Sequence, residues 1–284
     1  MIYKKNENFS LKADFYETNR EKAPVIVYIH GGGLIWGSRE DISKEMVQFY
    51  TSNGFSLFSI DYRLAPETKL RDILEDVQDA ILWISTEGPK QFSIDPNKII
   101  IIGGSAGGFL ALCSGTFKFK PQAIVSFYGY GDISASWATN PSSYYLQKDL
   151  VSNEIAEMLQ STHVITEGSV EKRYLIYVHA RQQGESVQKI TGVDSITNKD
   201  QLLKFCPIKH ITKNYPPTLF LHGTKDTDVP YEQSVFMRGA LLQKGVKTKF
   251  ITIPNGEHVF DKDFHLPMVQ DSLKQMIEFL QMYV

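Results

Sequence analysis

The chain has 284 residues, 42% of them hydrophobic, with 30 Lys+Arg against 32 Asp+Glu for a net charge of −2. This composition supports a large core and excludes a disordered chain, while the near-neutral charge and a pI near 6.4 argue against a dedicated nucleic-acid binder. No run of eighteen apolar residues could span a membrane, Met1 to Ser10 lacks the apolar stretch of a signal peptide, and two cysteines (Cys113, Cys206) make no disulfide framework; a cytoplasmic protein without membrane partners is expected.

In chain order, Leu11, Ala13 and Phe15 alternate and suggest an antiparallel edge strand. Six short apolar runs then follow: Val25 to His30, Phe55 to Ile60, Lys98 to Ile102, Ala123 to Phe127, Thr218 to Leu221 and Phe250 to Ile253. Unalternating β-branched runs of this length suit strands buried on both faces. Helical periods lie between them, with Leu70, Ile73, Leu74, Val77, Ile81 and Ile84 on one face and Val269, Leu273, Met276, Ile277 and Leu280 on another. Strands alternating with helices predict an α/β fold with a mostly parallel sheet covered on both sides. From Asp132 to about Tyr215 no strand is evident. Val151, Ile155, Met158 and Leu159 make one helical face, and Val170, Tyr174, Tyr177 and Val178 another. A structureless loop that long is improbable, so a helical insertion, a cap over one edge of a single domain 1–284, is expected at about 132–215.

Gly103-Gly104-Ser105-Ala106-Gly107 reads G-x-S-x-G between a strand and a helix-like stretch. A serine on such a sharp turn has its hydroxyl pushed out at the carboxyl end of the sheet. The small neighbours leave room for the turn, and the helix start offers unpaired N–H groups. A phosphate loop is the bland alternative, but G-x-x-x-x-G-K-[ST] is absent. His30-Gly31-Gly32-Gly33 ends the VIVYIH strand. Side-chain-free backbone there suits an oxyanion hole, with the N–H groups of Gly31, Gly32 and Ala106 as candidates.

A nucleophilic serine needs a base, and the base an orienting carboxylate, in the chain order Ser, acid, His. Asp226 follows the Thr218 strand and His258 follows the Phe250 strand, at the same sheet edge as Ser105. Asp228 competes with Asp226, and Asp132 is a third option. His265 is the nearest rival to His258, but it opens the last helix. His163, His179 and His210 carry no motif; His30 and His222 end strands and are read as loop braces.

These stretches, with Asp61-Tyr62-Arg63-Leu64-Ala65-Pro66-Glu67 and His222-Gly223-Thr224-Lys225-Asp226, resemble the α/β-hydrolase superfamily, within it the HGGG-type esterases related to hormone-sensitive lipase and the acetyl-esterase and feruloyl-esterase-like proteins. The resemblance runs from about Val25 to the C-terminus. It implies a serine hydrolase acting on small-molecule carboxylic esters without cofactor or metal, with Ser105, Asp226 and His258 as its triad. It also implies a structural role for DYRLAPE, tying the loop after the second core strand to the oxyanion loop. The chain departs from the family in two places: only about two dozen residues precede the first core strand, too few for the long N-terminal helical cap of full hormone-sensitive-lipase-like enzymes, and Cys206-Pro207 stands where Ser-Pro is common. Trp137, Tyr144, Tyr145, Tyr174 and Tyr177 are candidates to line a pocket or to pack the cap. An amidase, aryl formamidase or peptidase would use the same machinery. A non-catalytic binding protein on this fold predicts loss of the serine, the histidine or an oxyanion glycine, and all are present. No H-E-x-x-H or C-x-x-C spacing suggests a metal hydrolase.

Overall fold

Eight strands form one sheet among the residues described, 1–195 and 197–284, in this computed structural model. They are β1 (Ile2–Lys5), β2 (Ser10–Tyr16), β3 (Ala23–Ile29), β4 (Ser56–Ile60), β5 (Ile94–Gly104), β6 (Ala123–Phe127), β7 (Thr218–Gly223) and β8 (Thr248–Ile253). Their order across the sheet is β1-β2-β4-β3-β5-β6-β7-β8. The first two pairings are antiparallel, β1 with β2 and β2 with β4. Every pairing from β4 to β8 is parallel. The six apolar runs are β3 to β8. The alternating Leu11-Ala13-Phe15 stretch is antiparallel β2, but it is not the edge. Outside it lies β1, whose sequence IYKK has no apolar run and buries only Tyr3. The Tyr3 hydroxyl donates to the Asp61 carbonyl at 2.5 Å, which fastens this edge to the centre.

The core strands are buried on both faces because successive side chains enter opposite layers. Val25, Val27, Ile29 and Ile101 pack with the helices Leu70–Thr86 and Ala106–Ser114. Ile26, Ile100 and Ile102 pack with the helices Lys44–Ser52 and Pro267–Gln281. Leu70, Ile73, Val77, Ile81 and Ile84 are all buried, as their spacing requires. Each such side chain contributes about 1.5–3 kcal/mol relative to exposure.

Between β6 and β7 the described residues form helices, including Ser136–Thr139, Asn153–Met158, Val170–Gln183 and Ser186–Thr191. Two of the expected helical faces are corrected. In the helix Asn153–Met158 only Ala156 is buried, while Ile155 and Met158 are exposed. The helix Val170–Gln183 leaves Val170 exposed and buries Arg173, His179, Arg181 and Gln182 beside Ile176, Tyr177 and Val178. Each of those four polar residues is hydrogen-bonded to main chain. Arg173 donates to Ile35 O and Ala65 O, and Gln182 to Tyr145 O and Asp149 O. His179 contacts Val151 O, and Arg181 reaches Trp137 O. A polar inner face produces no apolar period.

Candidate active site

The loops at the carboxyl ends of β3, β5, β7 and β8 converge on Ser105. Strand β5 stops at Gly104 and a helix starts at Ala106, which leaves Ser105 in the turn with φ 55° and ψ −119°. That left-handed conformation is costly for a side-chain-bearing residue and persists only where the surroundings hold it. Here the Ser105 N–H donates to Phe127 O at 2.9 Å, fastening the turn to the end of β6. The backbone crossing behind it is tight. A Cβ on Gly103 would lie 2.3 Å from the Gly107 carbonyl, and one on Gly107 would lie 2.0 Å from Ile29 O.

His258 sits in the loop after β8, and its Nε2 is 3.0 Å from Ser105 Oγ. Its Nδ1 is 2.7 Å from Asp226 Oδ2. The loops after β7 and β8 are laced together by Thr224 N–H to Ile253 O and Lys225 N–H to Gly256 O. Asp226 is fully buried in its side chain, and its Oδ1 accepts from the N–H groups of Asp228 and Val229, both at 2.9 Å. His222 Nε2 lies 3.2 Å from Asp226 Oδ2 and 3.0 Å from Val229 O, and its Nδ1 is 2.8 Å from Ser234 Oγ. Burial pushes the Asp226 carboxyl up, but the hydrogen bonds from His222 and His258, the His258 charge and the Val229 N–H outweigh it and hold the group well below the usual carboxylate range. Burial pulls His258 down, yet the Asp226 hydrogen bond and the charges of Asp228, Asp226 and Asp261 raise it above an ordinary imidazole.

Of the three carboxylates considered for the acid, only Asp226 meets Nδ1 of His258. Asp228 Oδ2 stands 3.7 Å from Nε2, the other ring nitrogen, while its Oδ1 accepts from the Tyr177 hydroxyl at 2.7 Å. Asp132 accepts from Ser134 N–H and Oγ and from Cys206 Sγ, away from His258. Cys206 is fully buried, its Sγ also 3.3 Å from Leu202 O.

The glycine loop after β3 lies directly over the turn. A Cβ on Gly31 would be 3.1 Å from Gly104 O and 3.6 Å from Ser105 Cβ. Gly32 O accepts from the N–H groups of Ile35 and Trp36. Ala106 is the first residue of its helix, where an N–H has no intrahelical acceptor. The DYRLAPE stretch holds this loop. The Tyr62 hydroxyl is 3.1 Å from both His30 O and Gly31 O, its ring stacks on His30 at 4.2 Å, and Ala65 N–H donates to Leu34 O. His30 Nδ1 is 3.0 Å from Gly31 O, and burial lowers this imidazole to about 4, so it is neutral. Asp61 pairs with Arg39 at 2.8 Å and Glu67 with Arg173 at 2.5 Å.

A pocket opens on Ser105. Its walls include Tyr130, Trp137, Tyr177, Arg181, Ser186 and Ile190. Of the five aromatics singled out in the sequence, Trp137 and Tyr177 line it. Tyr145 packs edge-on behind Tyr177, Tyr174 packs on Trp36, and Tyr144 is exposed. Tyr128, Asp261, Tyr130 and Arg181 lie near the site and carry no sequence motif. Tyr128, at φ 37°, lays its ring 4.8 Å from that of His258 and donates its hydroxyl to Asp261 at 2.7 Å. Tyr130 and Arg181 wall the pocket. The available signal for the two tyrosines was their place just past β6, at the same sheet edge as Ser105.

A mostly parallel sheet with a strained serine turn after β5, a histidine loop after β8 and a glycine loop after β3 defines an α/β hydrolase. The chain belongs to the BD-FAE family, an esterase-like family of that superfamily, whose model matches residues 13–241. It is similar to an α/β hydrolase superfamily protein of Enterococcus faecalis, with 27% identity, 96% of this chain and 95% of that one covered, and a TM-score of 0.79. It shares the fold of an acetyl ester-xyloside bifunctional hydrolase of Caldicellulosiruptor lactoaceticus at 20% identity, covering 99% and 94% of the two chains with a TM-score of 0.72. It is also 26% identical, over an alignment 337 positions long, to the non-reducing polyketide synthase Preu3 of Preussia isomera. That match covers 97% of this chain, which spans only 13% of the synthase's length. No helix among the described residues is long and apolar enough to cross a membrane.

Proposed function

We propose that this protein is a carboxylesterase that cleaves esters of small to medium acyl groups through an acyl-enzyme on Ser105. The observation that carries this reading is the unbroken chain from Ser105 Oγ to His258 Nε2 at 3.0 Å and from His258 Nδ1 to Asp226 at 2.7 Å. Ser105 Oγ attacks the ester carbonyl carbon and its proton passes to His258 Nε2. Asp226 accepts the Nδ1–H, which fixes the tautomer that leaves Nε2 free as base, and it stabilises the imidazolium. The carbonyl oxygen becomes an oxyanion facing the N–H groups of Gly31, Gly32 and Ala106. As the carbon–oxygen bond breaks, Nε2 returns the proton to the departing alkoxide. Water then attacks the acyl-enzyme, giving a proton to Nε2 that finally restores the Ser105 hydroxyl. No metal or cofactor enters this scheme.

Residues 132–215 act as a cap in this reading, because Trp137, Tyr177 and Arg181 come from that segment and wall the pocket. Bulky rings beside Ser105 favour short arms over long lipid chains. The test is a series of 4-nitrophenyl esters of increasing acyl length with an aryl formamide alongside. Expected is turnover of short and medium esters with a fall at longer chains; faster turnover of the formamide would replace the esterase reading by an amidase one.

A further inference from the structure

Arg181 lies on the inward face of the helix Val170–Gln183 and lines the pocket that opens on Ser105. It is only 5% exposed. Its Nη1 donates to Trp137 O at 3.2 Å and its Nη2 to Asp228 O at 3.1 Å. Its Nε is buried and has no acceptor among the described residues. Ser186, the first residue of the next helix, lines the same pocket, and its Oγ is also buried without a partner there. A buried donor that finds no acceptor in the protein is destabilising unless another molecule supplies one, and more so on a charged group. Two such groups in the wall of one pocket point to an oxygen that arrives with the substrate.

The fork is also held rigidly. Arg181 Cζ stands 5.4 Å from the Trp137 ring, 5.5 Å from Tyr145 and 5.9 Å from Tyr177. A guanidinium pinned between rings and two carbonyls holds its Nε–H in one direction with little entropy left to lose. Its charge already has a counterpart, since Asp228 Oδ1 is 3.8 Å from Nη2. A carboxylate on the substrate would therefore meet Asp228 as well as Arg181. An uncharged acceptor gains the hydrogen bond without that repulsion.

We propose that the pocket selects esters whose pocket-filling arm carries an uncharged oxygen acceptor, such as a ketone, received by Arg181 Nε–H and Ser186 Oγ. This rests on the reading of Ser105 as an ester-cleaving nucleophile, and the test separates the two. The probes are 4-nitrophenyl esters of oxoalkanoic acids with the ketone walked along the chain, each against the alkanoate of equal length. Acetates of the matching keto alcohols and plain alcohols, followed by pH-stat, place the ketone on the other arm, and one hemi-ester with a terminal carboxylate completes the set.

At one ketone position, in one series, kcat/KM exceeds that of the plain ester by about tenfold or more, the worth of one hydrogen bond to a charged donor. Arg181→Lys, which loses the planar fork, and Ser186→Ala each bring that ratio back toward one. If thermal melting shows Arg181→Lys to be unfolded, Ser186→Ala carries the test. A ratio near one at every position, with plain esters turned over, removes this inference and leaves the esterase reading intact. A ratio that survives in the folded variants also removes it, as does a carboxylate arm that outruns the ketone. No turnover of any ester removes the esterase reading itself.

Discussion

Two carboxylates in the loop after β7 answer to two regions of the molecule. Asp226 is held by the strand-end loops: backbone N–H groups two and three residues on, His222 from β7 and His258 from the loop after β8. Asp228 is held by the segment between β6 and β7, through the Tyr177 hydroxyl and Arg181. The first set of partners is local or lies at neighbouring strand ends, so it forms wherever the sheet forms. The second exists only if the helix Val170–Gln183 packs down on the core. The lesson is a division of labour, with the core loops bringing Ser105, His258 and Asp226 together and the segment closing the pocket wall around them.

The largest effect should follow from breaking the core side. Ser105→Ala should lower kcat by on the order of 10⁵ to 10⁶-fold on the best ester, read by steady-state kinetics with binding retained. Asp226→Asn should cost about 10⁴-fold, because the buried amide no longer stabilises the required His258 tautomer. The same change at Asp228 should cost about tenfold or less; the reverse ranking would move the acid to Asp228.

Breaking the tie between the two regions should be felt mostly in stability. Arg173 joins Glu67 to the main chain of Ile35 and Ala65, with both side chains almost fully buried. Glu67→Gln leaves the guanidinium under-paired and should cost about 3–5 kcal/mol, seen as a lower denaturation midpoint. The pocket wall gives a smaller signal. Trp137→Ala should shift the preferred acyl chain to longer esters, by about fourfold in kcat/KM per added methylene, the worth of about 0.8 kcal/mol of burial.

The pH profile gives the mildest readout. In the proposed mechanism His258 must be neutral to accept the Ser105 proton, and its raised pKa keeps it protonated to higher pH than a free imidazole. The acid limb of kcat/KM should therefore lie above about 6.5. Asp228→Asn removes one of the charges that raise His258, so the limb should move to lower pH; an unmoved limb would show that Asp228 does not act on the base.

Strands β3 to β7 were legible because continuous apolar runs are the direct consequence of burial on both faces; the edge strand β8 buries only Ile251 and Ile253, yet its FITI run is still apolar enough to read. Ser105, Asp226 and His258 could be nominated because each follows such a run at the same sheet edge. The same rule failed for β1, where IYKK pairs at the edge and buries a single ring. It failed again in the helix Val170–Gln183, whose inward face is built from Arg173, His179, Arg181 and Gln182. Those residues are buried because main-chain carbonyls and carboxylates distant in sequence receive them, and no local period records that. Tyr128 was hidden for a similar reason: its contacts to His258 and Asp261 join residues far apart in the chain.

The most direct measurement is covalent labelling with a fluorophosphonate probe, followed by mass spectrometry of the intact chain and its peptides. One probe per chain, on the peptide containing Ser105 and with loss of ester turnover in proportion, is the predicted result. Full ester turnover with Ser105 unlabelled, or labelling at another serine, would contradict the account.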